Sequence, residues 1–456
     1  MLNLLPTLLT VASIASSAFA VPVVKVANSG IASAIPDQYI VVFKNGVTDS
    51  ATDAHTRRIS SFHSTIEARD PKGRKGRKTR GLHKKINVSG RSKFRGYTGE
   101  FDKATLQEIL KSPEVDYVER DAVVKVNLDN IPTEELAEES TEESESNNLQ
   151  KRVYRSDSTW GLDRISHSNH KAPYRYYYND AWSGENATVY VIDTGIKREH
   201  TQFGDMYTGK TRVRWGTNTI DNDNTDGAGH GTHCAGTIGG LTYGVARKVN
   251  LVAVKVLDKD GYGTWSSVIE GINWVAKDAK SGFAVASMSL GGGKSTAVNQ
   301  AINALHNAGV TVVVAAGNEN DDAKNYSPAS AEKAITVGAI DEKGKVADFS
   351  NYGSTVDILA PGVNILSSVI SSNTASDYYT GTSMATPHVA GLAAYYISKS
   401  VNENNKGVTP DEMRKLLLEK SRGVAESSLG SFLRKATPKI AGNGYCPTGN
   451  IKCDFH

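Results

Sequence analysis

The pattern of apolar and polar residues divides the chain into two folded regions that are separated by a polar stretch. In the C-terminal region, short continuous apolar runs alternate with longer stretches of helical periodicity. The strand-like runs cover residues 189–192, 252–256, 285–290, 310–315 and 335–337. The helical stretches cover residues 232–237, 266–280, 296–308 and 383–398. This alternation predicts an α/β fold, in which helices cover both faces of a mostly parallel sheet.

The N-terminal region, residues 38–127, has a shorter pattern of its own. Strand signals lie at residues 39–43, near 86, at 94–101 and at 115–126, with helical signals at 49–68 and 104–110. Two β-α-β halves of this size predict a small α+β domain of the ferredoxin-like split type. The basic loop at residues 72–80 lacks the interleaved aromatic residues of a nucleic-acid-binding surface. We therefore interpret it as a solvated loop and expect no nucleic-acid partner.

The chain begins with a pattern typical of a secretory signal peptide. Within residues 1–20, an apolar run too short to span a bilayer ends in Ala18-Phe19-Ala20, which fits a cleavage site. No later stretch approaches transmembrane length, so we expect the protein to enter the secretory route without membrane contact.

An acidic linker, residues 128–152, separates the two folded regions. Its glutamates lie among small polar residues, which is typical of a disordered segment, and it ends in the dibasic pair Lys151-Arg152. We expect a cut between residues 148 and 160, made either by a processing protease at this pair or by the enzyme itself. The predicted order is a signal peptide (1–20), a pro-region lead (21–37), the N-terminal domain (38–127), the linker (128–152) and a C-terminal domain with its tail (153–456).

Composition narrows the picture only slightly. The 456 residues carry a formal net charge of +3, which favours no particular partner, and only three cysteines. Cys446 and Cys453 bracket a short loop and could form a disulfide in an oxidising compartment, whereas we expect Cys234 to be buried and free. Triplets that permit N-glycosylation begin at Asn87, Asn186 and Asn325.

Residues with catalytic chemistry lie where predicted strands end or predicted helices begin. Asp193 and Asn318 follow apolar runs, His230 stands among glycines before a helix, and Ser383 opens the last helix. We expect Pro387 in the first turn of that helix, where backbone N–H groups have no partner within the helix. In a parallel sheet such residues gather at the carboxyl ends of the strands. A serine needs a base, histidine is the suitable base, aspartate orients the histidine, and an asparagine amide can donate to an oxyanion. Each residue alone also has a plain structural explanation, as a turn residue or a helix cap.

Two glycine-rich segments could hold a substrate backbone. Gly261-Tyr262-Gly263 and Ser289-Leu290-Gly291 follow predicted strands, and their exposed main chains could bind an extended peptide as an added strand. The glycines at 291–293 leave room for a broad pocket, so we expect loose specificity for large apolar or aromatic side chains.

A metal site is the alternative interpretation of the histidine cluster. His230 and His233 lie three residues apart, next to Cys234. However, the chain has no His-Glu-x-x-His signature and no second Cys/His cluster, so we interpret His233 as a core histidine.

Several motifs resemble those of the subtilisin-like serine proteases. They are VYVIDTG at Asp193, GHGTHCAG at His230, AAGN at Asn318 and GTSMATPHVAG at Ser383, in the chain order Asp, His, Ser that subtilisin has. The segments YSPAS and FSNYG place the chain close to the fungal proteinase K group, which includes the vacuolar cerevisins. The segments YIVVFK and VDYVERDA of residues 38–127 resemble the inhibitor-type propeptide of these enzymes.

The resemblance implies a function and a role for each site residue. It implies a serine endopeptidase of broad specificity that cleaves proteins and peptides through an acyl-enzyme intermediate, needs no cofactor for its chemistry and acts as a monomer. Asp193, His230 and Ser383 would form the catalytic triad, and Asn318 would be the oxyanion donor. The two glycine-rich segments would bind the substrate, and the propeptide would act as an intramolecular inhibitor of a zymogen. We expect a secreted enzyme, with the vacuole as the alternative compartment.

The same resemblance implies a structural calcium site. It would fall on the carbonyl groups of Glu332 and Ala334 and the carboxylate of Asp357, although Glu332 differs from the residue usual there. Two other functions are compatible with the sequence, namely a catalytically silent binding homologue and an N-terminal domain that acts as a free protease inhibitor after cleavage.

Overall fold

The structure is a computed structural model that describes residues 24–28, 33–69, 79–88, 93–126, 152–156, 158–167, 172–424 and 439–444. The predicted signal peptide, the linker up to Lys151, residues 72–78 of the basic loop and the Cys446–Cys453 pair lie outside these residues. Among the described helices, none combines the length and the apolar character that a membrane crossing requires.

The N-terminal domain has the predicted split β-α-β topology. Its elements are β1 (Val26–Ala27), β2 (Ala34–Phe43), α1 (Asp49–Arg69), β3 (Gly81–Val88), β4 (Phe94–Glu100), α2 (Lys103–Leu110) and β5 (Val115–Lys125). The strands follow the order β1-β5-β2-β4-β3, in which β5, β2, β4 and β3 pair antiparallel in turn and β1 pairs parallel with β5. The predicted elements of this domain are therefore confirmed, with helix α1 ending one residue beyond the prediction.

The sheet of the N-terminal domain is buried on both faces. Along β2, Tyr39, Val41 and Phe43 pack beneath the helices of the domain itself. The alternate residues Ile40 and Val42 belong to a core that they share with the C-terminal domain. Because side chains of a strand point alternately to opposite faces, the apolar run of β2 serves two interfaces at once. The N-terminal domain is thus packed against its neighbour by a full sheet face.

The C-terminal domain contains the longer series of elements. They are β6 (Arg152–Arg155), α3 (Trp160–Ser166), β7 (Tyr176–Asn179), β8 (Thr188–Asp193), β9 (Val213–Asn218), α4 (His230–Gly239), β10 (Asn250–Lys255), β11 (Tyr262–Thr264), α5 (Trp265–Asp278), β12 (Ala284–Met288), β13 (Gly292–Gly293), α6 (Thr296–Asn307), β14 (Val310–Ala315), β15 (Tyr326–Ser327), β16 (Ile335–Ile340), β17 (Ile358–Pro361), β18 (Ile365–Ser368), β19 (Ser376–Tyr379), α7 (Thr382–Asn404), α8 (Pro410–Lys420), β20 (Arg422–Val424) and β21 (Lys439–Ile440). The main sheet has the order β20-β21-β17-β16-β14-β12-β8-β10-β9, and every pair except β20–β21 is parallel.

Helices cover both faces of this sheet, as the sequence predicts. Val189 and Val191 of β8 face a core that includes α4 and α7. Tyr190 and Ile192 of the same strand face the core that includes α5 and α6. The central strands are therefore apolar without interruption because both of their faces are buried. This layering brings the carboxyl ends of β8, β12 and β14 to one edge of the domain.

Candidate active site

Asp193 and His230 form a buried pair at this edge. Asp193 is the last residue of β8, and His230 is the first residue of α4. The two atoms His230 Nδ1 and Asp193 Oδ1 lie 2.8 Å apart, and both side chains are almost fully buried. Burial by itself lowers the pKa of His230, but Asp193 and, to a smaller extent, Cys234 raise it, and together they hold that pKa well above the usual 6.5. His230 Nε2 is buried and has no hydrogen-bond partner among the described residues. This nitrogen is the atom of the ring that is left for chemistry.

The loop before His230 is held by Asp226, a residue that sequence reasoning missed. Its Oδ1 accepts a hydrogen bond from Thr194 Oγ1 at 2.8 Å, and its Oδ2 accepts from the N–H of Thr232 at 2.9 Å and from Thr232 Oγ1 at 2.6 Å. Thr194 directly follows Asp193, and Thr232 lies two residues after His230. The buried carboxylate of Asp226 therefore fixes the two halves of the pair relative to each other.

A close backbone approach explains the glycine that follows His230. A Cβ atom at Gly231 would lie 2.1 Å from the carbonyl oxygen of Gly195. No real side chain tolerates that distance, so only glycine allows α4 to begin against the end of β8. Close packing at the site therefore requires the glycine that follows His230.

Ser383 is the second residue of α7, and Pro387 determines how its backbone is used. The sequence predicts Pro387 in the first turn of this helix. The helix begins at Thr382, however, so Pro387 is its sixth residue and lies beyond the first turn. Proline has no N–H to donate to the carbonyl group four residues earlier, which is that of Ser383. Ser289 Oγ donates to this carbonyl oxygen at 2.9 Å, and the Cys234 thiol donates to it at 3.5 Å. The proline thus frees a backbone acceptor by which neighbouring elements hold Ser383.

The hydroxyl group of Ser383 points into the site. Its Oγ donates to the carbonyl oxygen of Ser289 at 3.2 Å, and the residue is only 4% exposed. Cys234 lies next to both Ser383 and His230. Its sulfur is 3.5 Å from the carbonyl oxygen of Ser383 and 4.0 Å from His230 Nδ1. As predicted, Cys234 is buried and free.

Asn318 is oriented by the residue that precedes Ser383. Its Oδ1 accepts hydrogen bonds from the N–H of Thr382 at 2.9 Å and from Thr382 Oγ1 at 2.8 Å. A backbone N–H requires an acceptor, so these bonds identify the oxygen end of the amide and leave Nδ2 as its free end. Asn318 and Ser383 line one pocket, whose other walls include Leu290, Ala315 and Ala316. The pocket is therefore largely apolar, with a serine hydroxyl and an amide donor at its rim.

The two predicted glycine-rich segments hold an extended strand between them, and that strand is β5 of the N-terminal domain. The N–H of Lys125 donates to the carbonyl oxygen of Gly291 at 3.3 Å, and the N–H of Gly291 donates back to that of Lys125 at 3.3 Å. On the other side, β5 pairs antiparallel with β11, and the N–H of Val126 donates to the carbonyl oxygen of Gly261 at 3.0 Å. Tyr262 is half exposed in this segment. The N-terminal domain therefore occupies the cleft that leads to the pocket beside Ser383.

Two buried carboxylates of β5 strengthen this contact. Glu119 accepts hydrogen bonds from Ser295 Oγ at 2.7 Å and from the N–H of Thr296 at 2.8 Å, at the start of α6. Asp121 accepts from the N–H and the hydroxyl group of Ser266, at the start of α5. Carboxylates at helix N-termini satisfy unpaired N–H groups and interact favourably with the helix dipole. The N-terminal domain thus supplies caps for two helices of its neighbour.

His233 is a core residue, as predicted. Its Nε2 lies 2.9 Å from the carbonyl oxygen of Ile365, and its ring stacks on Tyr379 at 4.3 Å between centroids. Burial lowers the pKa of His233 to about 3, so the ring is neutral. Within the described part of the chain, one group of potential metal ligands is clustered, namely Asp193, His230 and Cys234. This group is the buried pair and its neighbour, so it does not define a separate metal site.

The oxygen atoms expected to bind calcium do converge, but Arg414 of α8 lies among them. Its Nη1 donates to the carbonyl oxygen of Ala334 at 2.9 Å and to that of Glu332 at 3.2 Å, and its Nη2 pairs with Asp357 Oδ1. A guanidinium group and a calcium ion cannot share the same three oxygen atoms. These residues therefore do not fit a calcium ion in this chain.

Comparison with known proteins gives matches in both regions. Residues 184–444 match the Subtilase family (Peptidase S8), and residues 38–127 match Peptidase inhibitor I9. The cuticle-degrading serine protease of Arthrobotrys oligospora is 51% identical over 443 residues, which cover 97% of this chain and 99% of the relative. Subtilisin-like protease 2 of Pseudogymnoascus destructans is 47% identical over 374 residues, 82% of this chain and 83% of the relative. The crystal structure of a cold adapted subtilisin-like serine proteinase matches with a TM-score of 0.56 and 43% identity, over 63% of this chain and 99% of the solved chain.

Proposed function

Because this chain belongs to the subtilase family of serine proteases and carries an inhibitor I9 domain before its catalytic domain, we propose that it is a secreted endopeptidase made as an inhibited zymogen. Ser383 is the nucleophile, His230 the base, Asp193 the residue that orients His230, and Asn318 the oxyanion donor. The observation that carries the proposal is the buried hydrogen bond of 2.8 Å between His230 and Asp193, with Nε2 of His230 left without a partner among the residues that the structure describes.

The proposed reaction begins with a rotation of the Ser383 side chain. The hydroxyl group exchanges its acceptor, the carbonyl oxygen of Ser289, for His230 Nε2, and catalytic hydrogen bonds often tighten in this way once substrate is bound. Ser383 Oγ then attacks the scissile carbonyl carbon while its proton passes to His230. The imidazolium ion is stabilised by Asp193 and returns the proton to the leaving amine. Water then hydrolyses the acyl-enzyme by the same steps in reverse.

The oxyanion of the tetrahedral intermediate is proposed to lie between two donors. One is Nδ2 of Asn318, the end of the amide that Thr382 leaves free. The other is the backbone N–H of Ser383, near the N-terminus of α7, where the first N–H groups of a helix have no partner within the helix. Removal of one such donor costs about 10²–10³ in kcat in related enzymes.

The substrate is proposed to be an extended segment of a protein. Support comes from the end of the N-terminal domain, where backbone groups of Lys125 and Val126 bond to those of Gly291 and Gly261. Recognition of a backbone gives broad specificity, and the apolar pocket beside Ser383 favours large apolar or aromatic side chains. The relative from Arthrobotrys oligospora is named for cuticle degradation, so we propose structural proteins of such coverings as substrates of this enzyme.

The N-terminal domain is proposed to act as an intramolecular inhibitor. It fills the substrate cleft with β5 and caps two helices with buried carboxylates, which accounts for inhibition before cleavage. The domain is proposed to be released by a cut between residues 148 and 160, made either by the enzyme itself or by another protease at Lys151-Arg152. Sequencing the mature amino terminus of the wild type and of Ser383→Ala distinguishes the two, because an identical cut in both would exclude obligatory self-processing.

An extracellular location is proposed for the mature enzyme. A cuticle covers another organism from outside, so an enzyme that acts on it must leave the cell, and the signal-peptide pattern of residues 1–20 provides the route. The names of the relatives give no support to the vacuolar alternative. Comparing activity in culture medium and in cell lysate distinguishes the two compartments.

The test of the catalytic role is the Ser383→Ala variant. We expect hydrolysis of a peptide substrate to fall by about 10⁶-fold, while the far-UV circular dichroism spectrum stays that of the wild type. Ser372→Ala, which removes a hydroxyl group from an exposed residue, serves as the matched control and should keep full activity. Undiminished hydrolysis by purified Ser383→Ala would contradict the proposal.

A further inference from the structure

The loop that ends at β16 collects oxygen atoms of the kind that bind hard cations. The carbonyl oxygens of Glu332 and Ala334 and one carboxylate oxygen of Asp357 all accept hydrogen bonds from the guanidinium group of Arg414. The second carboxylate oxygen, Oδ2, accepts the N–H of Thr336 at 2.9 Å. The Asp357 side chain is only 11% exposed. A buried carboxylate beside two carbonyl dipoles requires a positive partner, since an uncompensated charge away from water is costly.

Arg414 supplies that positive charge from a distant part of the chain. It lies on α8, which begins at Pro410 with a capping box. In this box Thr409 Oγ1 accepts from the N–H of Glu412, and the Glu412 carboxylate accepts from the N–H of Thr409. The neighbouring Met413 and Leu417 are buried, so the same face of α8 packs on the domain. The planar guanidinium group presents several N–H donors in a fixed arrangement, and here two of its nitrogen atoms contact all three oxygen atoms.

Burial raises the pKa of the Asp357 carboxyl group above its usual value, and the nearby Arg414 offsets only part of this rise. A calcium ion brings six to eight oxygen ligands to about 2.3–2.6 Å, and no such shell can form while the guanidinium group lies among the oxygen atoms.

We propose that Arg414 serves this chain as a built-in cation in place of calcium, and that the same oxygen atoms form a calcium site once the guanidinium group is removed. The contact of Arg414 with Glu332, Ala334 and Asp357 is called the clamp. In the native protein this clamp joins α8 to the strands β16 and β17 without any bound metal. The loop is thus stable in media that lack calcium. Replacing Arg414 by a small side chain exchanges this metal-independent clamp for a calcium-dependent one.

The test counts calcium ions bound by full-length Ser383→Ala protein, a background that prevents self-digestion. After removal of metal with EGTA, isothermal titration with CaCl₂ gives the number of ions bound at saturation. We expect Arg414→Ala to bind one ion more than its parent, and CaCl₂ to raise its thermal unfolding midpoint more than it raises that of the parent. Adding Asp357→Asn to Arg414→Ala should abolish the additional ion.

Lys415→Ala is the matched control, because it removes one positive charge from the next position of α8 at an exposed side chain. It should bind as many calcium ions as the parent. Equal ion numbers in the parent and in Arg414→Ala would overturn the proposal. A second measurement does not depend on the folding of the Arg414 variant. Asp357→Asn alone should leave the number of ions bound by the parent unchanged, and the loss of one ion would show that calcium displaces Arg414 in the native chain.

Discussion

Removal of the Glu119 carboxylate should greatly weaken inhibition by the N-terminal domain. In the intact chain this side chain is 1% exposed and accepts hydrogen bonds from Ser295 Oγ at 2.7 Å, from the N–H of Thr296 at 2.8 Å and from the N–H of Ala297 at 3.4 Å. In free mature enzyme these donors bind water. When a Glu119→Ala propeptide docks, it covers the same donors and offers them no acceptor, so their desolvation is uncompensated.

The magnitude follows from these contacts. Hydrogen bonds to a charged group contribute about 1.5–3 kcal/mol each, and truncating one partner of a buried charged contact costs about 2–5 kcal/mol. Taking about 4 kcal/mol for the two short bonds and the weaker third one, and about 1.4 kcal/mol per tenfold change, the inhibition constant should rise by about 10³-fold. Glu119→Gln retains one good acceptor but not the charge, so its effect should be smaller.

The assay titrates mature enzyme with the separate segment 21–128 and measures the inhibition constant on a chromogenic peptide. Asp116→Ala is the control, because it removes one negative charge from an exposed position of the same strand. It should change the constant by less than about threefold, as expected for a surface charge. If Glu119→Ala inhibits as strongly as Asp116→Ala, the helix-capping contact does not stabilise the complex and the reasoning is refuted.

Three further predictions test the site and the N-terminal domain. Asn318→Ala and Asn318→Asp should each lower kcat by about 10²–10³ with little change in KM, because both variants lack the amide donor. Steady-state kinetics on a peptide anilide measure both constants. A change in KM alone would contradict the role of Asn318 as oxyanion donor. Asp193→Asn should lower kcat by about 10⁴. It should also move the acid limb of the pH–rate profile to lower pH, because His230 must be neutral to accept a proton and Asp193 helps to raise the pKa of His230 above 6.5. An acid limb that does not move would contradict this effect of Asp193 on the pKa of His230. Burial lowers the pKa of His55 from 6.5 to about 4, so the folded domain resists protonation and should lose up to about 3 kcal/mol of stability as the pH falls from about 6.5 to about 4. Thermal unfolding of full-length Ser383→Ala at several pH values should show this loss, and His55→Gln should remove that part of it; an equal loss in both would assign it to other groups.

The catalytic residues could be predicted from the sequence because their positions follow from local patterns. Asp193 and Asn318 directly follow apolar strands, and parallel strands bring their carboxyl ends to one edge. His230 and Ser383 each begin a helix with small residues around them. Secondary-structure bounds were predicted to within a few residues for the same reason, since periodicity is strong in long buried elements.

Residues that act through tertiary contacts could not be predicted in this way. Asp226 is indistinguishable in the sequence from a solvated turn residue, and only the fold brings Thr194 and Thr232 to its carboxylate. The sequence motif Asp-x-x-Gly ahead of His230 was the available signal for the role of Asp226, because the side chain of Asp often accepts hydrogen bonds from backbone N–H groups in turns. The predicted position of Pro387 within its helix was wrong by part of a turn. The carbonyl group of Ser383, which lacks a donor from Pro387, could be identified only once the helix start at Thr382 was known.

The expected calcium site shows the limit of reasoning from resemblance. The three oxygen positions were inferred from the motifs, and all three do meet. The group that they bind comes from α8, 57 residues beyond Asp357, in a tail whose polar pattern gave no helix prediction. The capping box at Thr409 and Glu412 was the readable signal for that helix.

The most direct test of the account is to locate the covalent adduct of a fluorophosphonate probe on the mature enzyme by peptide mass spectrometry. Such probes react with a serine that an adjacent base activates. We expect one adduct, on Ser383, that is lost in Ser383→Ala and strongly reduced in His230→Ala. An adduct on another serine, or labelling of Ser383 that does not depend on His230, would contradict the proposed triad.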